Sequence, residues 1–368
     1  MRTVATFTDT YLPTVNGVSY TVHTWRRRWK QRGGRMPLVY PAAREYTPER
    51  REYPVASAPF PFYRGFRFAR PTVPNGLREL HLDVVHTHTP FTLGLAGKRL
   101  ASIVNAPLVA SYHTPAGAYA EYLCETFEGT IQRVADRYER WYFEAADAII
   151  APSETAAQSL DVNETPVYVV SNGVDTDRFS PASEAAIETF RERYDLPDGP
   201  LVGYTGRHGY EKRLHDVLDA TEALDVAVVL AGDGPARPAL ERRAAAREDV
   251  YFLGFLDREM LSTFYTALDA FVFPSPVETQ GLVALEAIAC GTPVVAAAAG
   301  GLTEAVTEDE TGTHFPPGDI DALRAAISDT LDKTDRLPRG LTAQRRQLSV
   351  ERSMDALEGV YDSVLGNG

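Results

Sequence analysis

The sequence predicts an α/β protein made of two units, each a parallel β-sheet with helices on both faces. Short apolar segments of strand length alternate with helical segments along most of the 368 residues, which is the pattern of a parallel sheet. The alternation begins again after the turn residues 172–175. A chain of this length exceeds one compact core, and its 44% of apolar residues is enough to fill two.

The first unit is predicted to span residues 1–175. A buried strand at 4–8 leads into a loop and then a helix from about Val18 to Arg32, and a longer helix covers residues 119–146. Residues 41–76 are rich in Pro, Arg and aromatic residues without a clear period, so no element is predicted there. The remaining strands of this unit are predicted at 38–40, 84–86, 108–112, 148–151 and 167–170.

The second unit is predicted to span residues 176–340, beginning where turn residues and Pro181 cluster. The last segment, 341–368, is predicted to be largely helical and to pack back on the first unit. The strands of the second unit are predicted at 201–205, 226–231, 250–253, 270–274 and 293–297.

The composition excludes several classes of protein. The only two cysteines, Cys124 and Cys290, lie far apart, so neither a disulfide framework nor a zinc site is indicated. The amino terminus is soon charged, unlike a secretory signal, and no run of about 18 apolar residues could span a bilayer. We therefore expect a cytoplasmic protein with no resident metal or cofactor.

The charge is unevenly distributed. The formal net charge is −13, yet residues 1–100 hold 16 Lys and Arg against 6 Asp and Glu. Two segments mix arginines with aromatic residues: 25–32, which includes Trp25 and Trp29, and 60–70. Such segments can attract anionic headgroups and place aromatic rings at the membrane interface.

Two other interpretations fit the same basic segments. They are typical of a solvated helix face beside a packed loop, and they could also bind nucleic acid through phosphate contacts and stacking. The acidic remainder of the chain and the lack of a nucleic-acid module argue against the last. We expect an anionic membrane surface as a partner and no nucleic acid.

One strand-to-helix junction carries two glutamates eight positions apart. Gly281 would let backbone N–H groups approach an anion at the start of a helix, where the helix dipole favours a diphosphate. Glu278 and Glu286 could accept hydrogen bonds from sugar and ribose hydroxyls, and about two helical turns would bring them to one side. The alternative is that Glu278 is merely an acid at a helix N-terminus and Glu286 an exposed helix residue.

A second junction, residues 205–213, carries clustered cations. A diphosphate leaving group needs positive charge where negative charge develops, and Arg207 and Lys212 could supply it. Lys212 is one of only four lysines in the chain, whereas Arg213 fits an ordinary surface charge. The alternative interpretation is a surface helix cap.

Other strand-end loops give weaker signals. Asn16-Gly17 could approach a phosphate or form a simple turn, and residues 251–255, ending in Phe255, could present groups to a nucleobase or simply close a core strand. Residues 232–235 fit a tight turn before a helix. His113, with the His-x-His at 86–88, is more typical of a structural histidine than of a metal ligand, because carboxylates of the right spacing are missing.

These segments resemble family 4 of the retaining glycosyltransferases, which has the GT-B fold. The likeness is carried by residues 278–286, by Gly206-Arg207 with Glu211-Lys212, and by the Ser-Asn-Gly-Val-Asp at 171–175, and it extends over essentially the whole chain. It implies two Rossmann-like doubly wound domains facing a central cleft. It also implies metal-independent hexosyl transfer from a nucleotide sugar, with retention at the anomeric carbon.

The resemblance assigns roles to most of the singled-out residues. Glu278 would contact the donor sugar and Glu286 the donor ribose, while Arg207 and Lys212 would hold the diphosphate. Backbone N–H groups for sugar and phosphate would come from Gln280, Gly281 and Leu282.

Two residues of the first unit also receive roles from the resemblance. His113 would sit beside the donor sugar, near the reacting centre, and Gly17 would touch the donor phosphate. No metal would be needed, because protein cations replace it.

The first half of the chain has a narrower likeness. Residues 7–18 and 85–98 resemble diacylglycerol glucosyltransferases and related lipid-acceptor mannosyltransferases, although Gly17 stands where paired glycines are common and residues 114–119 lack the usual acidic, tyrosine-rich run. The resemblance thus implies transfer of glucose or mannose to a membrane glycerolipid at the inner face of the cell membrane. A soluble or polyprenyl-linked glycan acceptor, or a nucleotide-binding module without catalysis, are the alternatives.

Overall fold

The computed structural model confirms the predicted α/β class, with a parallel sheet in each of two units. It describes residues 2–59, 67–114, 128–333, 341 and 344–366. One unit comprises Met1–Asn172 together with Val350–Gly368, and the other comprises Gly173–Ser349.

The first unit is built on a seven-stranded parallel sheet in the order β3-β2-β1-β6-β7-β8-β9. The segment 41–76, for which the sequence predicted no element, contains the edge strand β3 of this sheet and a separate antiparallel pair, β4 with β5. The strands are β1 (Val4–Phe7), β2 (Leu38–Pro41), β3 (Glu52–Val55), β4 (Ser57–Pro59), β5 (Arg67–Ala69), β6 (Val84–Thr87), β7 (Leu108–Ser111), β8 (Ala148–Ala151) and β9 (Val167–Val169).

The sheet of the first unit is covered on both faces. In β1, Val4 contributes to the apolar cluster on one face, and Ala5 and Phe7 to the cluster on the other, as successive side chains of a strand must. The helices of this part of the chain are α1 (Gly17–Gln31), α2 (Asn75–Arg78), α3 (Thr92–Val104), α4 (Glu128–Phe143) and α5 (Glu154–Ser159).

The second unit has a six-stranded parallel sheet in the order β12-β11-β10-β13-β14-β15. Its strands are β10 (Leu201–Thr205), β11 (Ala227–Ala231), β12 (Val250–Gly254), β13 (Ala270–Phe273), β14 (Val294–Ala297) and β15 (Gly312–Phe315). Its α-helices are α6 (Glu184–Arg193), α7 (Leu214–Thr221), α8 (Arg237–Arg243), α9 (Leu261–Ala267), α10 (Leu282–Ala289), α11 (Leu302–Ala305) and α12 (Ile320–Asp332).

Each sheet has a topological switch point, the place where the direction of the strand order reverses. The order reverses between β10 and β13 in the second unit, and between β1 and β6 in the first. Ligands of open parallel sheets bind beyond the carboxyl ends of the strands at such points. The loops after these four strands are therefore the places to look for a site.

The last helix, α13 (Val350–Gly366), belongs to the first unit. Its buried residues Met354, Leu357 and Tyr361 join the apolar cluster of Trp25 and Trp29. Ion pairs also join α13 to the end of α1: Glu351 lies 3.2 Å from Arg28, and Asp355 lies 2.6 Å from Arg32, the residue after α1.

The interpretation of residues 25–32 as a membrane surface is wrong. Trp25 and Trp29 are almost fully buried, because α1 packs against both the sheet and α13. Arg26 is buried as well and forms ion pairs with Glu49 (2.9 Å) and Glu52 (2.7 Å). The aromatic part of the second basic segment, residues 60–66, lies outside the described residues.

No membrane-spanning helix is found in the part of the chain that the structure describes. Helices there lack the combination of length and apolar character that crossing a bilayer requires.

Candidate functional site

The site in the second unit centres on an ion pair between the loops after β10 and β13, the strands at the switch point. Lys212 Nζ is in close contact with Glu278 Oε1, and both side chains are largely shielded from solvent. The pair links residues that are 66 positions apart in the sequence. Lys212 and Glu278, which were separate candidates from the sequence, thus meet at the carboxyl ends of two neighbouring strands, where ligands of parallel sheets bind.

Glu278 lies in an irregular segment, since α10 begins only at Leu282. The expectation that two helical turns separate Glu278 from Glu286 is therefore wrong. What precedes α10 is a bent, irregular segment that ends at Gly281, whose φ of +80° places it in the left-handed region. A Cβ there would lie 2.4 Å from Cδ2 of the buried Leu302.

The start of α10 has the features of an anion site. The first N–H groups of a helix have no acceptor within the helix, and the macrodipole adds positive potential there. Gln280 is buried, Leu282 is half-buried, and the cap residue Gly281 has no side chain that could accept from these N–H groups. The ion pair with Glu278 also holds the positively charged Lys212 side chain near the residues that precede this helix.

The sequence analysis missed two glycines that hold the Glu278 segment in place. The Gly301 N–H donates to the Glu278 carbonyl at 2.7 Å. A Cβ on Gly300 would lie 2.4 Å from that same carbonyl oxygen, and one on Gly301 would lie 2.4 Å from the Thr279 carbonyl. Gly-Gly shortly after a predicted strand was the available signal, because it marks close approach of backbones.

Arg207 is held by a neighbour on its own loop. Its guanidinium forms a 2.5 Å ion pair with Glu211, and its carbonyl accepts from the Tyr204 hydroxyl at 3.4 Å. Arg213, in contrast, forms a two-point ion pair with the buried Asp216 at the start of α7 (2.7 and 3.1 Å). Arg207 is thus held within its own loop, while Arg213 is engaged in the structure of the helix.

Glu286 occupies a separate buried polar cluster. Its Oε2 accepts from the Tyr265 hydroxyl at 2.9 Å, and its Oε1 lies 3.8 Å from Arg258. The residue is 4% exposed, so the alternative that it is an exposed helix residue is wrong. Burial raises the pKa of Glu286, against the opposing effects of Arg258 and the Tyr265 hydroxyl.

The other candidate of this unit, Phe255, follows β12 and is 63% exposed. The strand ends at Gly254, whose carbonyl accepts from the Gly232 N–H at 2.6 Å. Phe255 therefore presents a ring at the carboxyl end of the sheet, one strand beyond β11.

In the first unit, Gly17 is the first residue of α1 and is exposed. The helix is capped by Asn16, whose Oδ1 accepts from the Ser19 N–H at 2.8 Å. No atom lies within 4 Å of a Cβ built on Gly17. The backbone at this helix N-terminus is thus accessible to a ligand.

Three histidines lie at the ends of β6 and β7. His88 Nδ1 and His113 Nε2 share a hydrogen bond of 3.0 Å, and the two rings are stacked. His86 bonds Ser111 (2.8 Å) and Tyr361 (2.7 Å), so it is a buried structural residue. Among the residues described, no group of three or more His, Cys, Asp or Glu side chains is arranged to hold a metal ion.

The sequence analysis also missed Asp9, at the carboxyl end of β1. Its carboxylate accepts from the Thr89 hydroxyl (2.7 Å), the Thr92 hydroxyl (2.7 Å) and the Leu93 N–H (3.0 Å). A buried carboxylate thereby caps α3, whose own N-cap residue, Phe91, cannot do so. Asp9 fixes the loop that follows His88.

The substitution Gly281→Ala should destabilise the second unit and weaken binding of a nucleoside diphosphate. An alanine must adopt positive φ and displace Leu302, which costs about 1–3 kcal/mol. Urea unfolding and calorimetric titration with UDP and GDP measure the two effects. Gly17→Ala is the matched control for stability, because its Cβ enters open space; equal destabilisation by both would contradict this account.

Two family models cover most of the chain. Residues 15–178 match the model described as Glycosyltransferase Family 4, and residues 186–347 match the one described as Glycosyl transferases group 1. Among solved structures, sucrose-phosphate synthase from Thermosynechococcus elongatus superposes with a TM-score of 0.79 at 21% identity, covering 100% of both chains.

Curated proteins give the same picture over the full length. A GDP-mannose-dependent alpha-mannosyltransferase of Mycobacterium tuberculosis is 31% identical over 377 residues, which is 99% of this chain and 97% of that protein. The alpha-monoglucosyldiacylglycerol synthase of Streptococcus pneumoniae is 26% identical over 385 residues, 99% of this chain and 86% of the other. The chain therefore belongs to glycosyltransferase family 4, and its two Rossmann-like units have the GT-B fold.

Proposed function

We propose that this glycosyltransferase moves a hexose, glucose or mannose, from a UDP- or GDP-linked sugar to a hydroxyl of a membrane glycerolipid, with retention at the anomeric carbon. The observation that carries the proposal is the shielded Lys212–Glu278 pair just before the N-terminus of α10. It puts a cation, helix N–H groups and a carboxylate at one switch point, which suits a sugar diphosphate.

Lys212 and Arg207 are proposed to bind the diphosphate. An ammonium has three N–H donors, and Glu278 engages one of them, which leaves two for phosphate oxygens. Arg207 adds a planar guanidinium held by Glu211. Fixed positive charge at the leaving group stabilises the transition state, so protein cations can do what a metal ion does elsewhere.

The remaining donor contacts follow from the same placement. Glu278 would accept from the sugar hydroxyls, and the buried Glu286 would accept from the ribose. Phe255 is proposed to contact the nucleobase. Backbone N–H groups for sugar and phosphate are assigned to Gln280, Gly281 and Leu282.

The chemical step is proposed to proceed on one face of the sugar. As the anomeric C–O bond to the diphosphate breaks, the departing phosphate oxygen takes the proton of the acceptor hydroxyl, whose oxygen forms the new bond on the same face. No side chain is needed as a base in this scheme. His113 is assigned to the donor sugar and Gly17 to a phosphate.

The acceptor is inferred from relatives. The Streptococcus pneumoniae protein is by name a glycolipid synthase, and the Mycobacterium tuberculosis protein uses GDP-mannose. We therefore favour a glycerolipid acceptor at the cytoplasmic face of the cell membrane over a soluble or polyprenyl-linked glycan.

Labelled UDP-glucose and GDP-mannose, offered with diacylglycerol, polyprenyl phosphate and soluble oligosaccharides, should distinguish these acceptors. We expect label in an organic-soluble lipid that mild alkali converts to a water-soluble glycosylglycerol, with the α-configuration retained in its NMR coupling constant. Label only in the polyprenyl or aqueous product would replace the proposed acceptor, and an inverted anomeric centre would overturn the retaining step.

Lys212→Ala should lower kcat by about 100-fold or more, because removing one preorganised charge from a developing oxyanion costs roughly 3–4 kcal/mol. Transfer from the preferred nucleotide sugar measures this effect, and circular dichroism checks that the fold persists. Glu278→Ala should cause a similar loss.

The matched control is Lys333→Ala, which removes a half-buried lysine of the same unit from its 2.8 Å ion pair with the exposed Asp309. Exposed pairs contribute only about 0–1 kcal/mol, so both turnover and stability should stay near wild type. Unchanged turnover in Lys212→Ala would remove the proposed donor site.

For membrane contact we propose a surface on α4 in place of the segment at 25–32. Trp141 is 52% exposed and Val134 is 65% exposed, and Lys98 Nζ lies 3.9 Å from the Trp141 ring. Arg137 is exposed and falls on the same helix face, one turn before Trp141. An exposed tryptophan beside cations suits the headgroup region of an anionic bilayer.

The double substitution of Val134 and Trp141 by Ser should reduce sedimentation with vesicles of phosphatidylglycerol and phosphatidylcholine by several fold. The loss follows from the apolar area that no longer enters the bilayer. Ile103→Ser, at a position 51% exposed on the same unit, is the control and should sediment like wild type. Equal sedimentation of all three proteins would defeat the membrane proposal.

A further inference from the structure

The histidine pair at the switch point of the first unit contains one member that the proposed reaction leaves unused. His113 has a proposed role at the donor sugar, whereas His88 has none. Yet His88 is 2% exposed and its Nδ1 shares the 3.0 Å hydrogen bond with His113 Nε2. A buried imidazole directed at a site residue calls for an explanation.

We propose that His88 is a positioning residue, which fixes both the ring orientation and the tautomer of His113. This inference rests on the proposed function insofar as it concerns catalysis, but the pairing itself can be tested without it. The hydrogen bond engages Nε2 of His113, so Nδ1 is the ring nitrogen that His88 does not engage. If His88 donates, His113 carries its proton on Nδ1, and if His113 donates, its Nδ1 is unprotonated. The tautomer of His113 is therefore coupled to the tautomer that the surroundings impose on His88.

Both rings are neutral at neutral pH. Burial lowers the pKa of His113 to about 4 and holds the pKa of His88 well below its ordinary value. Two neutral imidazoles can place one proton between them, so a single hydrogen bond with one donor and one acceptor is the consistent arrangement. A protonated Nδ1 of His113 would donate a hydrogen bond to a sugar hydroxyl, whereas an unprotonated Nδ1 would accept one. The tautomer of His113 therefore decides which interaction it can make with the sugar.

The surroundings make His88 rigid enough for this task. Its ring lies 4.1 Å from that of His86 and 5.8 Å from that of Trp25, measured between centroids. His86 is itself fixed by Ser111 and by Tyr361 of the last helix. A ring packed in this way cannot turn without disturbing the core, so it can hold its partner within the small tolerance that catalysis demands.

Three variants separate positioning from packing. His88→Leu fills the space without a polar group, and His88→Asn returns an amide near the position of Nδ1. Tyr361→Phe is the matched control, since it removes a buried hydroxyl from the same cluster but leaves the bond to His113 in place.

The full-length protein with isotope-labelled histidine reports the tautomer of His113 through its ring nitrogen shifts. We expect one tautomer in wild type and in Tyr361→Phe, and a mixture in His88→Leu. With a nucleotide sugar, kcat should fall about 10- to 100-fold in His88→Leu while KM for the donor changes little, and His88→Asn should recover most of the loss. Tyr361→Phe should keep wild-type kcat.

Two results would overturn the inference. One is an unchanged His113 tautomer in His88→Leu, and the other is an equal loss of kcat in Tyr361→Phe with the tautomer intact. A wild-type protein that transfers no sugar at all would instead contradict the proposed function, while the nitrogen shifts would still decide whether His88 controls His113.

Discussion

The Lys212–Glu278 ion pair constrains the second unit because neither charge could be shielded from water alone. An unpaired charge in such a position costs several kcal/mol, so the loops after β10 and β13 must arrive together. Gly300 and Gly301 allow this, since their missing side chains let the β14 loop touch the backbone at Glu278. The strand order then places the pair at the switch point, where ligands of parallel sheets bind.

The ion pair also bears on how the proposed diphosphate site fits an acidic chain. The 268 residues after position 100 carry 44 Asp and Glu against 21 Lys and Arg, so the average potential there repels phosphate. Attraction has to come from a few fixed groups: Lys212, Arg207 and the N-terminus of α10. Both cations are already engaged by carboxylates, Lys212 by Glu278 and Arg207 by Glu211, which keeps them oriented before a ligand arrives.

Much of this could be predicted from local sequence, and the failures have a common cause. The alternation of strands and helices and the residues at strand ends depend on neighbours in the chain. The environment of Trp25, Trp29 and Arg26 depends on acids at 49–52 and on a helix more than 300 residues later, which no local pattern shows. Glu286 was expected on the same side as Glu278 because their spacing of eight residues was counted in helical turns, whereas only the part after Gly281 is helical.

In the first unit, too, buried polar side chains join the loops that follow neighbouring strands at the switch point. Asp9, after β1, caps α3, which follows β6, and His88, after β6, forms a hydrogen bond with His113, after β7. A residue at the end of each strand therefore fixes a residue in the loop or helix that follows the next strand. The last helix contributes from the far end of the sequence, because Tyr361 bonds His86 beneath this row. Residues 350–366 thus support the histidines mainly through packing, since the ring of Tyr361 lies 5.8 Å from that of His86 between centroids, and this contact does not depend on the Tyr361 hydroxyl.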